Sequence, residues 1–254
     1  MFYRNNILLL SKLKAIVHNP EIISIIMKTH NSKEVRHYLS IKKNRIFMDK
    51  ICSEIDLLID KSIDEITENI SNKFNFIKYP IIWYVLIRKF HLKKIVETGV
   101  SMGWSSYMIL KALEREKEGK LYSIDIDSSE KLKQEGSVGY LVPKKLNHNW
   151  KLILGDSNKL LRPTLEKIKN IDMFIHDSDH SYKTMLYEFQ LSWKFLNQKG
   201  FLCSDDINYN KAFEKFVSDY EDELKNYPIF QEIPRSSDKE NIRPMIGFVQ
   251  KTVS

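Results

Sequence analysis

The sequence predicts an α/β fold in which a mostly parallel sheet of seven strands ends in an antiparallel β-hairpin and is preceded by an N-terminal helical region. Three observations carry this reading. Beyond Pro80, five short apolar runs end in polar or glycine-bearing turns and alternate with helical patterns, as strands of a parallel sheet covered on both faces do. Near the end, "IFQEI" and "MIGFVQ" are two strand candidates separated only by the polar stretch "PRSSDKENIRP", which favours an antiparallel pair at the sheet edge. Before residue 80 the apolar spacing is helical instead: Ile51, Ile55, Leu58, Ile59, Ile63, Ile66 and Ile70 mark one face, with Asp, Glu and Lys on the other. The expected division is therefore residues 1–78 as a helical region and residues 79–254 as the α/β domain.

In order, the strands are Lys94 to Glu97, ending in "TGVSMGWSS"; Leu121 to Ile124, ending in "DID"; Leu152 to Leu154, ending in "GDS"; Met173 to Ile175, ending in "HDSDHSY"; and Phe201 to Cys203, ending in "SDD". Tyr107, Ile109, Leu110 and Leu113 predict a helix after the first strand. Tyr182, Met185, Leu186, Phe189, Trp193 and Leu196 predict another after the fourth.

The chain has 254 residues, 43% hydrophobic and 29% charged, which is the composition of a soluble globular protein. Its two cysteines, Cys52 and Cys203, form no CxxC or zinc-type spacing and point to a reducing, cytoplasmic compartment. The apolar run Ile7 to Leu10 is too short for a spanning helix and lacks the features of a signal peptide. The net charge of +7 is uneven: residues 1–50 hold ten Lys/Arg against three Asp/Glu, and the remainder is balanced. Such an arm suits an anionic membrane surface, touched peripherally, an acidic glycan or nucleic acid; a solvated Lys-rich face reads the same way, and nucleic acid is not the expected partner.

In open α/β sheets, ligands bind beyond the carboxyl ends of the strands, and every polar cluster named above lies at such an end. Gly99 and Gly103 permit a tight turn and close approach of backbone to ligand, next to the free amides of a helix N-terminus. Asp125 suits the two hydroxyls of a ribose, with Asp127 as the neighbouring alternative. Asp127 and Ser128 also suit a helix N-cap. Asp156 and Ser157, one strand further on, suit the adenine of the same ligand, and they too fit a cap.

Taken together, "IVETGVSMGWSSYMILKAL", "LYSIDID" and "LILGDS" resemble the first three motifs of the class I S-adenosylmethionine-dependent methyltransferases, whose Rossmann-like seven-stranded sheet ends in an antiparallel hairpin. The likeness spans residues 80–250 or so. "VGYLVPKKLNHNW", "IDMFIHDSDHSY", "LNQKGFLCSDDI" and "NKAFEKF" resemble a bacterial subgroup. More distantly they are similar to metal-dependent O-methyltransferases of the catechol, caffeoyl-coenzyme A and macrocin kinds.

The resemblance implies S-adenosylmethionine bound by Glu97, Gly99, Ser101, Gly103, Asp125, Asp156 and Ser157, with Glu97 toward the methionine amino group. It implies Mg²⁺ or another divalent cation held by Asp177, Asp205 and Asp206, which would relieve the repulsion of three converging carboxylates. His180 stands where catechol-type relatives carry a basic residue and is the candidate general base, with Asp177 beside it. The chain departs from the catechol pattern in having Asp206 for Asn and His180 for Lys. Asp179 and Ser181 suit the cap of the following helix, and His176, on the other side of the strand, reads as structural.

The implied activity is O-methylation of a small molecule or a sugar or glycan hydroxyl. Two other readings compete. An NAD-dependent oxidoreductase or epimerase would use the same sheet, but the middle glycine of GxGxxG is missing. A non-catalytic module would keep the fold and act through the basic N-terminal helices.

Overall fold

The computed structural model describes residues 27–28, 80–126, 137–226, 229–231 and 245–252. The helix expected over Ile51 to Ile70, the alternatives Asp127 and Ser128, and the stretch 234–244 lie outside the described residues. The chain divides into two units, Met1–Asn75 with Pro228–Ile233, and Phe76–Tyr227 with Pro234–Ser254. In the first, the strand Met27–Lys28 pairs antiparallel with Ile229–Gln231.

The second unit is the α/β domain. Its strands are β1 (Lys94–Thr98), β2 (Lys120–Asp125), β3 (Trp150–Leu154), β4 (Ile171–His176), β5 (Leu196–Ser204), β6 (Leu224–Asn226) and β7 (Met245–Lys251). The helices are α1 (Pro80–Phe90), α2 (Trp104–Glu116), α3 (Ser157–Ile168), α4 (Tyr182–Phe195) and α5 (Ala212–Asp219). β1 pairs parallel with β2 and β4, β2 with β3, and β4 with β5; β7 runs antiparallel between β5 and β6. The order across the sheet is β3-β2-β1-β4-β5-β7-β6.

Apolar runs become parallel strands here because helices cover both faces. Ile95 and Val96 of β1 and Met173, Phe174 and Ile175 of β4 are buried, neighbours in sequence facing opposite sides. α2 buries eight of its residues, among them Tyr107, Ile109, Leu110 and Leu113. On α4, Phe189 and Trp193 meet Phe213 and Phe216 of α5 edge-on, with ring centroids 5.9 and 5.4 Å apart. Leu196, expected on the buried face of α4, begins β5 instead. It stays buried, so the apolar spacing continues across the boundary while the backbone turns extended.

Candidate active site

The first turn is built by glycine chemistry. Gly99 has φ 83° and donates its N–H to Ile124 O at 2.9 Å; a Cβ there would lie 1.8 Å from the backbone O of Asp177. Gly103 caps α2 at φ 95°, and a Cβ on it would lie 2.8 Å from Gly139 Cα. Both positions need left-handed backbone and bare space, which glycine alone supplies without strain. Between them Ser101, exposed and at φ 50°, is drawn into the turn by its neighbours.

Asp125 is the main neighbour. Its Oδ2 accepts from Val100 N and Ser101 N, both at 2.6 Å. Gly155 N donates to Asp125 O at 2.7 Å, so the ends of β1, β2 and β3 are joined through one residue. A second brace comes from residues 137–142: Gly139 N donates to Ser101 O at 2.9 Å and Leu141 N to Met102 O at 3.0 Å. Val138 and Val100 form the apolar contact beneath, with Trp150 and Tyr140 packed against them.

Glu97 is enclosed. Its carboxylate accepts from Ser106 Oγ, from Ser123 Oγ at 2.6 Å and from Ser105 Oγ at 3.2 Å, and is 1% exposed. Burial pushes its pKa up to about 7 against the pull of those three hydroxyls, and the charge of Asp125 adds to the rise. The carboxylate expected to meet a ligand's amino group thus faces protein hydroxyls.

Asp156 caps α3, accepting from Asn158 N at 2.9 Å. Ser157 is buried and bonds Glu188 on α4 rather than facing the strand ends. Two apolar residues that the sequence reading passed over stand at this end of the sheet: Ile126 is 46% exposed and Leu154 54% exposed.

At the ends of β4 and β5, Asp177 is half-buried and its N–H donates to Thr98 O at 2.8 Å, placing this turn against the Gly99 turn. Asp179 and Ser181 start α4 as expected: Ser181 is the N-cap, and Asp179 accepts from Ser181 Oγ at 2.7 Å and Thr184 Oγ1 at 2.8 Å. These bonds hold the Asp179 carboxyl below its usual range. His180 Nε2 lies 3.8 Å from Asp206 Oδ2. Burial lowers the His180 pKa, and its neighbour His176 adds to the fall; Asp206, Asp179 and Glu188 pull the other way and do not reverse the shift. Asn210 fixes the base of this turn by donating its Nδ2 to His180 O at 2.8 Å while accepting from Ala212 N at 2.7 Å. The Tyr209 ring, 69% exposed, has its centroid 6.0 Å from that of His180.

The expected metal set does not assemble. Among the described residues no three His, Cys, Asp or Glu side chains come together as a metal site. Asp205 is buried, and Asp206, at φ 47°, presents its carboxylate to His180. Ligation of Mg²⁺ or another divalent cation by Asp177, Asp205 and Asp206 is thus not supported by a ligand cluster among the described residues.

Glu188 is the buried group that sequence reasoning missed. It accepts from Thr98 Oγ1 at 2.5 Å, His176 Nδ1 at 2.7 Å and Ser178 Oγ at 3.0 Å. Burial would raise its pKa, but these donors and Ser157 together bring it below the ordinary value. The available signal was an acid in the apolar stripe of α4, one position before Phe189.

Residues 96–207 match the family described as a methyltransferase domain. The sheet order and the glycine turn at the end of β1 are those of the class I fold of S-adenosylmethionine-dependent methyltransferases. The chain is broadly similar to O-methyltransferases at low identity. The O-methyltransferase TomG of Streptomyces achromogenes, solved with S-adenosylmethionine and involved in tomaymycin synthesis, is 16% identical, with a TM-score of 0.50 over 68% of this chain and 78% of that one. A Klebsiella pneumoniae protein assigned as an O-methyltransferase gives 14% and 0.54 over 76% and 90%. The Bacillus cereus O-methyltransferase solved with S-adenosylhomocysteine gives 13% and 0.50 over 78% and 91%. None of the curated proteins matches the sequence. Among the described residues no helix is long and apolar enough to cross a membrane.

Proposed function

We propose that residues 79–254 catalyse methyl transfer from S-adenosylmethionine to a hydroxyl oxygen of a small molecule, with His180 as general base. The observation that carries this is the juxtaposition of a glycine turn braced by Asp125 with a half-buried histidine beside Asp206, whose pKa burial lowers. The two turns touch through Asp177 N and Thr98 O. Bound S-adenosylmethionine supplies an electrophilic methyl on a sulfonium.

The chain's own residues do the rest. Gly99 and Gly103 let the backbone approach the ligand, and the second carboxylate oxygen of Asp125 offers an acceptor for ribose hydroxyls. Ile126 and Leu154 supply apolar walls for a purine, and Asp156 stands at its rim. His180 takes the acceptor's proton, and Asp206, 3.8 Å away, stabilises the imidazolium that results. Glu97 and Ser157 act from beneath, holding the turns rather than the ligand. The identity of two of the similar solved proteins, complexes with S-adenosylmethionine and S-adenosylhomocysteine, supports this cofactor.

The experiment is calorimetric titration with S-adenosylhomocysteine, followed by tritium-methyl transfer from S-adenosylmethionine to a panel of phenols and monosaccharides. Binding with transfer to a hydroxyl is expected; absence of cofactor binding rejects the proposal. His180→Gln should lower the transfer rate by about a hundredfold or more with cofactor affinity unchanged. An equal rate in that variant would remove His180 as the base. Asp125→Ala leaves the Val100 and Ser101 amides without their acceptor and should weaken cofactor binding on the order of tenfold. Unaltered affinity in the titration would show that the brace is dispensable.

A further inference from the structure

The carboxylate of Glu188 occupies a costly position. It has no exposed surface, and a carboxylate withdrawn from water costs several kcal/mol unless donors replace its hydration. The donors come from three elements: Thr98 at the end of β1, His176 and Ser178 at the end of β4, and Ser157 at the start of α3. If the cluster served only to tie these elements together, His176 would be expected to have both ring nitrogens bonded, since buried polar groups are paired as a rule.

That is not what is found. His176 is fully buried, yet its Nε2 has no hydrogen-bond partner among the described residues. Its ring meets the ring of His180 nearly edge-on, with centroids 5.3 Å apart and planes at 75°. His180 Nε2 is likewise buried and without a hydrogen-bond partner among the described residues. Two imidazoles, each with an unused nitrogen, therefore adjoin at the end of β4.

We infer that Glu188 and His176 are a positioning pair for His180: Glu188 fixes the tautomer and plane of the His176 ring, and the edge of that ring orients the His180 imidazole toward the acceptor hydroxyl. This rests on the reading of His180 as the base. An ionised carboxylate only accepts, so the 2.7 Å contact requires His176 Nδ1 to donate. In the neutral ring Nε2 then carries the lone pair, a state that water would otherwise leave free to exchange between the two nitrogens.

His180 is held on its remaining sides by Asn210, which bonds its carbonyl, by the Tyr209 ring, and by Asp206. Contacts on several sides restrict the orientations open to the His180 ring, and a fixed orientation is what a base needs to meet a hydroxyl at hydrogen-bonding distance.

The test separates a positioning pair from a structural tie. His176→Asn keeps an N–H donor near the Nδ1 place, so Glu188 stays satisfied, but removes the ring edge that faces His180. Glu188→Gln keeps the shape and removes the charge. Wild type and both variants are prepared with isotope-labelled histidine, loaded with S-adenosylhomocysteine, and the ring nitrogens are read by long-range proton–nitrogen correlation.

In wild type, His176 should appear as the Nδ1–H tautomer and His180 as a single tautomer. In both variants the His180 signals should move to an averaged mixture while calorimetric affinity for S-adenosylhomocysteine stays unchanged. Transfer to the best hydroxyl compound of the panel should fall on the order of tenfold to a hundredfold in kcat with KM for the cofactor unaltered.

A His180 spectrum that is the same in wild type and His176→Asn overturns the inference and leaves the pair as a tie between strands. If Glu188→Gln fails to fold, His176→Asn decides alone. Failure of the wild-type chain to bind S-adenosylhomocysteine overturns the methyltransferase reading instead, and the ring spectra of the cofactor-free protein then decide the positioning pair by the same comparison.

Discussion

Gly99→Ala is expected to abolish cofactor binding and to lower the thermal midpoint by about 10 °C. The added Cβ would sit 1.8 Å from Asp177 O and 2.3 Å from its carbonyl carbon, both backbone atoms with no side-chain freedom to yield. The φ of 83° adds the strain of a left-handed L-residue, roughly 1–2 kcal/mol. Overpacking of a close contact adds about 1–3 kcal/mol. A total of about 2–5 kcal/mol in a domain of this size corresponds to roughly 10 °C. Relief would require the Gly99 turn and the Asp177 turn to part, and with them the two halves of the site. Differential scanning calorimetry and titration with S-adenosylhomocysteine measure both effects; a variant that melts and binds like wild type would show that these turns do not touch.

The stability of the protein is expected to fall by about 3 kcal/mol as pH rises from about 4.5 to 7, because of Glu97 alone. Burial raises this carboxyl from 4.5 to about 7 in the folded chain. Between those values the native state keeps the proton that the unfolded state has released, so the unfolded state binds fewer protons and stability decreases with pH. Below the unfolded value the contribution is fully present, and above the folded value it is lost. Glu97→Gln should flatten this part of the profile and leave the variant at least as stable as wild type at pH 8. Urea unfolding midpoints at pH 5, 6, 7 and 8 provide the comparison. Parallel profiles for wild type and variant would mean that Glu97 is ionised throughout and that the three serine hydroxyls outweigh its burial.

Much of the domain was legible because parallel strands covered on both faces leave short, uniformly apolar runs. The five βα strands were found from this signal, each extended by one to six residues in the structure. β6 was missed: Leu224–Asn226 is three residues long and offers neither alternation nor an apolar run. Helix starts were legible from position alone: Asp179 and Ser181 begin α4 as expected. The bonds from Asp125 to the turn amides were not read from the sequence, which offered it for ribose hydroxyls.

The site was illegible where side-chain direction decides. Ser157 and Glu97 belong to motifs that suggest ligand contact, yet their side chains turn inward to Glu188 and to three serines. Asp177, Asp205 and Asp206 read as converging carboxylates, yet no such ligand group forms among the described residues. His176 looked idle, and only the three-dimensional packing reveals its unused Nε2 next to His180.

The brace around the glycine turn has a consequence for how a ligand is met. Val100, Ser101 and Met102 are all fixed by bonds to two other segments, Asp125 on one side and residues 139–141 on the other. A turn locked at three successive residues has little left to order when a ligand arrives, so association there is a docking onto a ready-made surface rather than a folding of a loop around its guest. Discrimination between ligands at this end must then come from shape and from the walls at Ile126 and Leu154.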